Sequence, residues 1–137
     1  MAAIHGVVVG GSQALSTELV TNGDFASGAN WTQTLSEWAF AGGEATYTAG
    51  TGTNIRQSLP PEAVGPARVK YTISSVSGGS VYFTLSHTGG SITGTYRSAA
   101  GTYSEDINVA WFDLSQIRFN CTGTSCAIDD VSLKAYL

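Results

Sequence analysis

The chain is poor in charge: only 12% of its 137 residues are Asp, Glu, Lys or Arg, about half the usual share of a globular domain. A solvated helical protein needs Glu and Lys along its outer faces, and that supply is missing here. No segment carries a sustained helical stripe either. Basic residues are scarcest of all. The six of them, Arg56, Arg68, Lys70, Arg97, Arg118 and Lys134, are scattered through a chain of net charge −4. They form no patch in sequence that could neutralise a phosphate backbone, which argues against nucleic acid as a partner. No apolar run approaches the ~20 residues of a membrane-spanning helix. The first residues hold no Lys or Arg, and their apolar stretch is short and broken by glycine, so they make a poor signal peptide.

Catalytic signatures are missing too. His5 and His87 lie far from any nucleophile motif, and the many serines include no Gly-x-Ser-x-Gly elbow. Glu105-Asp106 and Asp129-Asp130 are adjacent pairs, and neighbours on a strand face opposite sides, so neither pair can flank one scissile bond. No enzyme is expected. The two cysteines have no neighbouring histidine and make no zinc site. Cys121 and Cys126 bracket Thr-Gly-Thr-Ser, a loop short enough to bring their Cβ atoms within reach of a disulfide. Two reduced residues flanking a hairpin is the other reading, and the sequence leaves the choice open.

What the chain does have is glycine, 17 residues of it, with abundant Ser and Thr for turns and the polar faces of strands. Alternation of apolar and polar residues marks strands at Glu37–Ala41, Glu44–Thr48, Ala67–Val76 and Val81–Leu85. Shorter ones are expected at Leu19–Thr21, Thr53–Leu59, Ser91–Arg97 and Thr102–Val109. Gly42-Gly43 reads as a hairpin turn. Gln116–Asn120 and Ala127–Tyr136 read as a final hairpin. Strands at this spacing predict an all-β, two-sheet antiparallel sandwich over residues 18–137. Residues 1–17 read as an N-terminal arm, in which Ile4, Val7, Val8 and Val9 form a short apolar strand suited to pairing with another chain's edge. Trp111-Phe112 falls in a loop-like stretch, where it plugs one end of the sandwich or meets a neighbour.

Two phrases stand out against this background, Asn22-Gly23-Asp24-Phe25 followed by Gly28 and Trp31, and Ile128-Asp129-Asp130-Val131-Ser132-Leu133 near the end. Together they resemble the opening and closing motifs of the jelly-roll carbohydrate-binding modules of the glucan- and xylan-binding type, a frame that also recurs in phage virion decoration and tail proteins. The resemblance implies a galactose-binding-like jelly roll whose first and last strands are neighbours. It also implies a structural Ca2+ held by Asp24, Asp129 and Asp130, although Ala26 stands where the family commonly has Glu, which removes one anionic ligand. Trp31 and Trp38 match core positions of the family.

A sugar site needs flat aromatic rings and directed polar groups. Tyr82, Tyr96 and Tyr103 are assigned the parity opposite to the core of their strands, and with Gln57, Arg97 and Asn108 they make the candidate carbohydrate-binding cluster. The favoured function is a non-catalytic phage virion structural protein, a capsid decoration or tail-surface protein. It would dock on a major capsid or tail protein through its arm, as a homo-oligomer at the virion surface. Three features support this: the chain starts at Met and stands alone, it lacks an export signal, and its arm is apolar. The alternative is a carbohydrate-binding module or lectin, secreted and binding a polysaccharide or cell-surface glycan.

Overall fold

The computed structural model describes residues 14–33, 35–48, 54–108 and 113–137, and its regular elements are all strands. They form two antiparallel sheets. The first runs in the order β1 (Thr32–Gln33), β4 (Asn54–Ser58), β9 (Leu114–Cys121), β6 (Val81–His87) and β7 (Gly90–Thr93). The second runs β2 (Trp38–Ala41), β3 (Glu44–Thr48), β10 (Ser125–Ala135), β5 (Ala67–Ser77) and β8 (Gly101–Ile107). The chain is an all-β two-sheet sandwich, as its alternation predicts, with the jelly-roll form that the resemblance of its end motifs implies.

Period-two patterning decides which side of each strand is buried. Ile55, Ile117, Phe119, Phe83 and Leu85 point inward from the first sheet, and Tyr47, Val69, Tyr71, Ile73 and Leu133 from the second; all are buried. Tyr71 is the hinge of the packing, with its ring centroid 5.2 Å from Phe119 and 6.0 Å from Phe83, both edge-on. Edge-to-face contact suits the ring quadrupoles, and truncating Phe119 to Ala here would cost about 3–5 kcal/mol.

The two end motifs prove to be one structural knot. The Val131 amide donates to the Gly23 carbonyl at 2.9 Å, and a Cβ on Gly23 would collide with the Val131 carbonyl oxygen. Only glycine permits that approach. The Asn22 side chain donates to the carbonyls of Ser27 and Ala29 at 2.7 and 2.9 Å, while the Trp31 indole donates to the Asn22 carbonyl at 2.9 Å. Phe25 is fully buried against Trp31. Trp31 and Trp38 both lie in the core.

Three local expectations change. Leu19–Thr21 is not a strand; its Leu19 amide donates to the Leu133 carbonyl at 3.0 Å, beside the last strand. Residues 14–17, expected in the arm, already belong to the sandwich: Leu15 bridges Tyr136, and the Ser16 amide donates to the Ala135 carbonyl at 2.7 Å. The rest of the arm, with Ile4, Val7, Val8 and Val9, lies outside the described residues, as does Trp111-Phe112.

The expected final hairpin is a crossing, because β9 and β10 belong to different sheets. The Gly78-Gly79 connection from β5 to β6 crosses as well. The two crossings stack backbone on backbone, since a Cβ on Gly79 would meet the Gly123 main chain and one on Gly123 would meet the Ser77 carbonyl. Glycines that signal a tight turn and glycines that permit a close approach look alike in sequence. Gly42-Gly43 does make the expected hairpin, between β2 and β3, with φ of +64° and +77°.

Candidate functional site

The outer face of the first sheet carries a stacked aromatic pair, Tyr82 on β6 and Tyr96 just beyond β7. Residues that alternate with the buried ones stand on this face, and register sorts them into three rows. Asn54, Asn120 and Tyr82 lie directly across from one another. The Val81–Arg97 bridge extends that row to Tyr96. The second row is Thr32, Arg56, Arg118, Thr84 and Thr93, and the third is Ser58, Gln116, Ser86 and Ser91.

Tyr82 and Tyr96 stack with ring centroids 4.0 Å apart and planes 15° from parallel. One face of Tyr96 is against Tyr82, yet the residue remains 56% exposed, so the accessible area falls on its other face and edge. Burial, then the neighbouring Tyr96 phenol, pushes the Tyr82 hydroxyl above its ordinary pKa. The Tyr82 phenol therefore stays neutral at physiological pH. Across the row the Asn120 amide donates to Thr84 Oγ1 at 3.4 Å. In the next row Arg118 donates to Gln116 Oε1 at 2.6 Å, and Arg56 to Asn54 Oδ1 at 3.4 Å. A flat ring beside a lattice of amides, hydroxyls and guanidinium groups can stack on one side of a ligand and hydrogen-bond its rim.

The other predicted residues lie elsewhere. Tyr103 was assigned an outward parity, but it shares the inward parity of Ile107 and packs on Tyr71 at 5.8 Å. Arg97, adjacent to Tyr96, necessarily points the opposite way. It turns into the space between the sheets, with its guanidinium 4.5 Å above the Tyr103 ring and 3.2 Å from Glu105. Glu105 also accepts from the Tyr71 hydroxyl at 3.3 Å and from the Thr95 amide at 3.0 Å. Burial is the main reason the Tyr71 phenol is pushed up to about 12. This cluster fixes both neighbours of Tyr96, so Arg97 and Tyr103 position the exposed ring without standing beside it.

Gln57 is buried inside the sandwich, not on the outer face. Its Oε1 accepts from the Thr21 amide and hydroxyl at 2.7 and 3.1 Å, and its Nε2 donates to the Thr21 carbonyl at 2.9 Å. Asn108 is exposed just past β8, on the opposite sheet from Tyr82. Asn54, Arg56, Gln116, Arg118 and Asn120 were missed, although parity against Ile117 and Phe119 would have found the last three.

The residues expected to hold calcium do not assemble a donor set. Asp24 accepts from the Ala26 amide at 3.2 Å, and Asp129 from the Asp130 amide at 2.7 Å. Burial raises the Asp129 carboxyl above its usual range, and the charges of Asp130, Glu44 and Asp24 add to this. Among the described residues no three His, Cys, Asp or Glu side chains stand close enough to share an ion. Cys121 and Cys126 are both buried free thiols. They hydrogen-bond to each other, which lowers the Cys121 thiol and, together with burial, raises that of Cys126.

No protein-family model matches the chain, and no curated protein matches its sequence. Solved structures do. A family 11 carbohydrate-binding module from Clostridium thermocellum, in complex with a β-1,3-1,4-mixed-linked tetrasaccharide, matches at 17% identity and a TM-score of 0.56, over 92% of this chain and 99% of that one. The chain has the jelly-roll fold of these modules. TmCBM61 in complex with β-1,4-galactotriose matches at 16% identity and a TM-score of 0.59, over 86% and 98%. The enzymatically active domain of bacteriophage CBA120 tailspike protein 4 matches at 17% identity and a TM-score of 0.58, over 88% of this chain and 21% of that one. The structural neighbours are mostly carbohydrate-binding modules, one being a phage tailspike domain.

Proposed function

We propose that the protein is a non-catalytic carbohydrate-binding module that takes a polysaccharide across the outer face of its first sheet. The stacked Tyr82–Tyr96 pair carries this reading, set as it is in a row with Asn120 and Asn54. The C–H face of a pyranose packs on the accessible side of Tyr96, and its hydroxyls meet the amides of the row. That several modules of the same fold are described in complex with oligosaccharides supports it. The test is affinity electrophoresis of the protein and its Tyr82→Ala and Tyr96→Ala variants through gels containing a panel of soluble glycans. Retardation of the parent protein and not of the variants is the expected result. A parent that no glycan retards would end the proposal.

A second reading places the module on a phage particle, as a decoration or tail-surface protein. The likeness to the tailspike domain favours it, and the two readings are compatible if the module recognises a cell-surface glycan. Imaging purified particles of the source would decide it: density for this sandwich on a capsid or tail lattice is expected, and its absence from all particles refutes the reading.

A further inference from the structure

We propose that Cys121 and Cys126 form an oxidation site, at which a low-molecular-weight disulfide such as glutathione disulfide installs an intramolecular bridge joining the two sheets. Cys121 closes β9 in the first sheet, and Cys126 lies near the start of β10 in the second. Cys121 is paired across its ladder with Val81, and Cys126 with Tyr47 and Val76. Both side chains enter the core from opposite sheets, where they are buried free thiols in hydrogen-bonding contact with each other. A single buried thiol is inert packing. Two in contact are a dithiol, and only Thr122, Gly123, Thr124 and Ser125 separate them along the chain.

The segment between them is fastened to the β5–β6 crossing. The Thr122 amide donates to the Ser80 carbonyl at 2.9 Å, and the Thr124 amide to the Ser77 carbonyl at 2.8 Å. Thr122 Oγ1 accepts from the Ser80 amide at 2.9 Å. A Cβ on Gly123 would collide with the Ser77 carbonyl oxygen, so the loop lies pressed on its neighbour. It cannot swing the two cysteines apart without losing these bonds. Thr122 and Thr124 are exposed, and local opening of this short loop admits the reagent. Burial makes the folded pair slow to oxidise and its bridge slow to be reduced.

The mutual hydrogen bond lowers the Cys121 thiol and raises that of Cys126, which makes Cys121 the attacking sulfur. Its thiolate attacks one sulfur of glutathione disulfide and expels one glutathione. Cys126 then gives up its proton and attacks Cys121 Sγ, expelling the second. Two protein S–H bonds are lost, one S–S bond forms, and two glutathione molecules leave reduced. A bridge closing so short a loop should raise the melting temperature by about 9 °C. By linkage the fold favours the bridge to the same degree, about fortyfold over the unfolded chain.

The experiment equilibrates the full chain with graded mixtures of reduced and oxidised glutathione, both native and in guanidinium chloride. Equilibrium is approached from the reduced and the oxidised side, so that slow exchange is not mistaken for preference. Free thiols are then alkylated and counted by intact mass. The expected product is a monomer lacking two hydrogens, half-formed in the native protein at a glutathione ratio about fortyfold more reducing than in the denatured chain. The oxidised protein should melt about 9 °C above the reduced one. Cys121→Ala and Cys126→Ala should each melt at a temperature that ignores the glutathione ratio; if either fails to fold, the two forms of the parent supply the comparison without it. A native chain that carries one glutathione, couples to a second copy, stays a dithiol where the denatured chain is oxidised, or shows the same ratio folded and unfolded would overturn the proposal. So would a bridged form that melts no higher than the dithiol.

Discussion

Gln57 offers the sharpest trial of how this site was assigned, since sequence placed it among the sugar contacts and the structure buries it behind them. Consider Gln57→Ala. The change deletes three hydrogen bonds to Thr21, at 2.7, 3.1 and 2.9 Å. Each is worth about 1 kcal/mol net, so the loss is about 3 kcal/mol. Thr21 is exposed, so water can reach part of what is freed and no larger penalty is expected. For a domain of this size ~1 kcal/mol moves the melting temperature by roughly 4 °C, giving a fall of about 12 °C. Scanning calorimetry measures that fall, and glycan titration well below the transition measures binding. The expected outcome is a large loss of stability with glycan affinity unchanged. A variant that melts within about 3 °C of the parent yet loses its glycan would refute the reasoning, because it would put the amide on the ligand.

Other expectations follow from the same contacts. Tyr96→Ala should weaken glycan binding about tenfold, or ~1.4 kcal/mol, while circular dichroism melts change little, the ring being more than half exposed. Glu105→Ala should also weaken binding while leaving the Tyr82 and Tyr96 side chains intact, because it frees the Thr95 amide and Arg97 on either side of Tyr96; unchanged affinity would show that the cluster does not position the ring. Gly23→Ala should destabilise by more than about 3 kcal/mol through collision with the Val131 carbonyl, and a denaturant midpoint equal to the parent's would contradict that.

A further prediction concerns pH. The carboxyl of Asp129 is raised by burial and by neighbouring Asp130, Glu44 and Asp24. The folded state thus favours its protonated form, and its stabilising contribution is fully present below the unfolded value of about 3.9 and lost as pH rises through the raised folded value. Asp129→Asn should raise the melting temperature at neutral pH, with the gain vanishing below about pH 4. A lower melting temperature at neutral pH would point instead to a cation held there.

Much of the fold could be read directly from local residues. Alternation in Ala67–Val76 and Val81–Leu85 located β5 and β6, and Gly42-Gly43 located the one hairpin it announced. The two end motifs located the partnership of the first and last segments, because a glycine forced by the Val131 carbonyl and an aromatic forced into the core leave marks at fixed spacing. These are consequences of backbone period and turn chemistry, which act within a few residues. The sheet to which a strand belongs is a different matter. The glycines at 78–79 and 123 look like hairpin turns, and only the packing of one crossing on the other shows that they carry the chain between sheets.

The candidate site divides in the same way. Tyr82 was recognisable by parity, which is a property of its strand alone. Tyr96 shares the parity of the inward Ile92 and faces outward only because the register shifts by one residue between the Thr84–Thr93 pair and the Val81–Arg97 bridge. Arg97 was grouped with them by adjacency, yet a strand sends neighbours to opposite faces. Arg118 and Arg56 are 62 positions apart in sequence and become a pair only through the register of β4 on β9. Sequence by itself determined that this chain folds as alternating strands with an aromatic handle and almost no spare charge. Tertiary structure decided where the few charges meet, because cross-strand register is set by the whole core, and no local pattern records it.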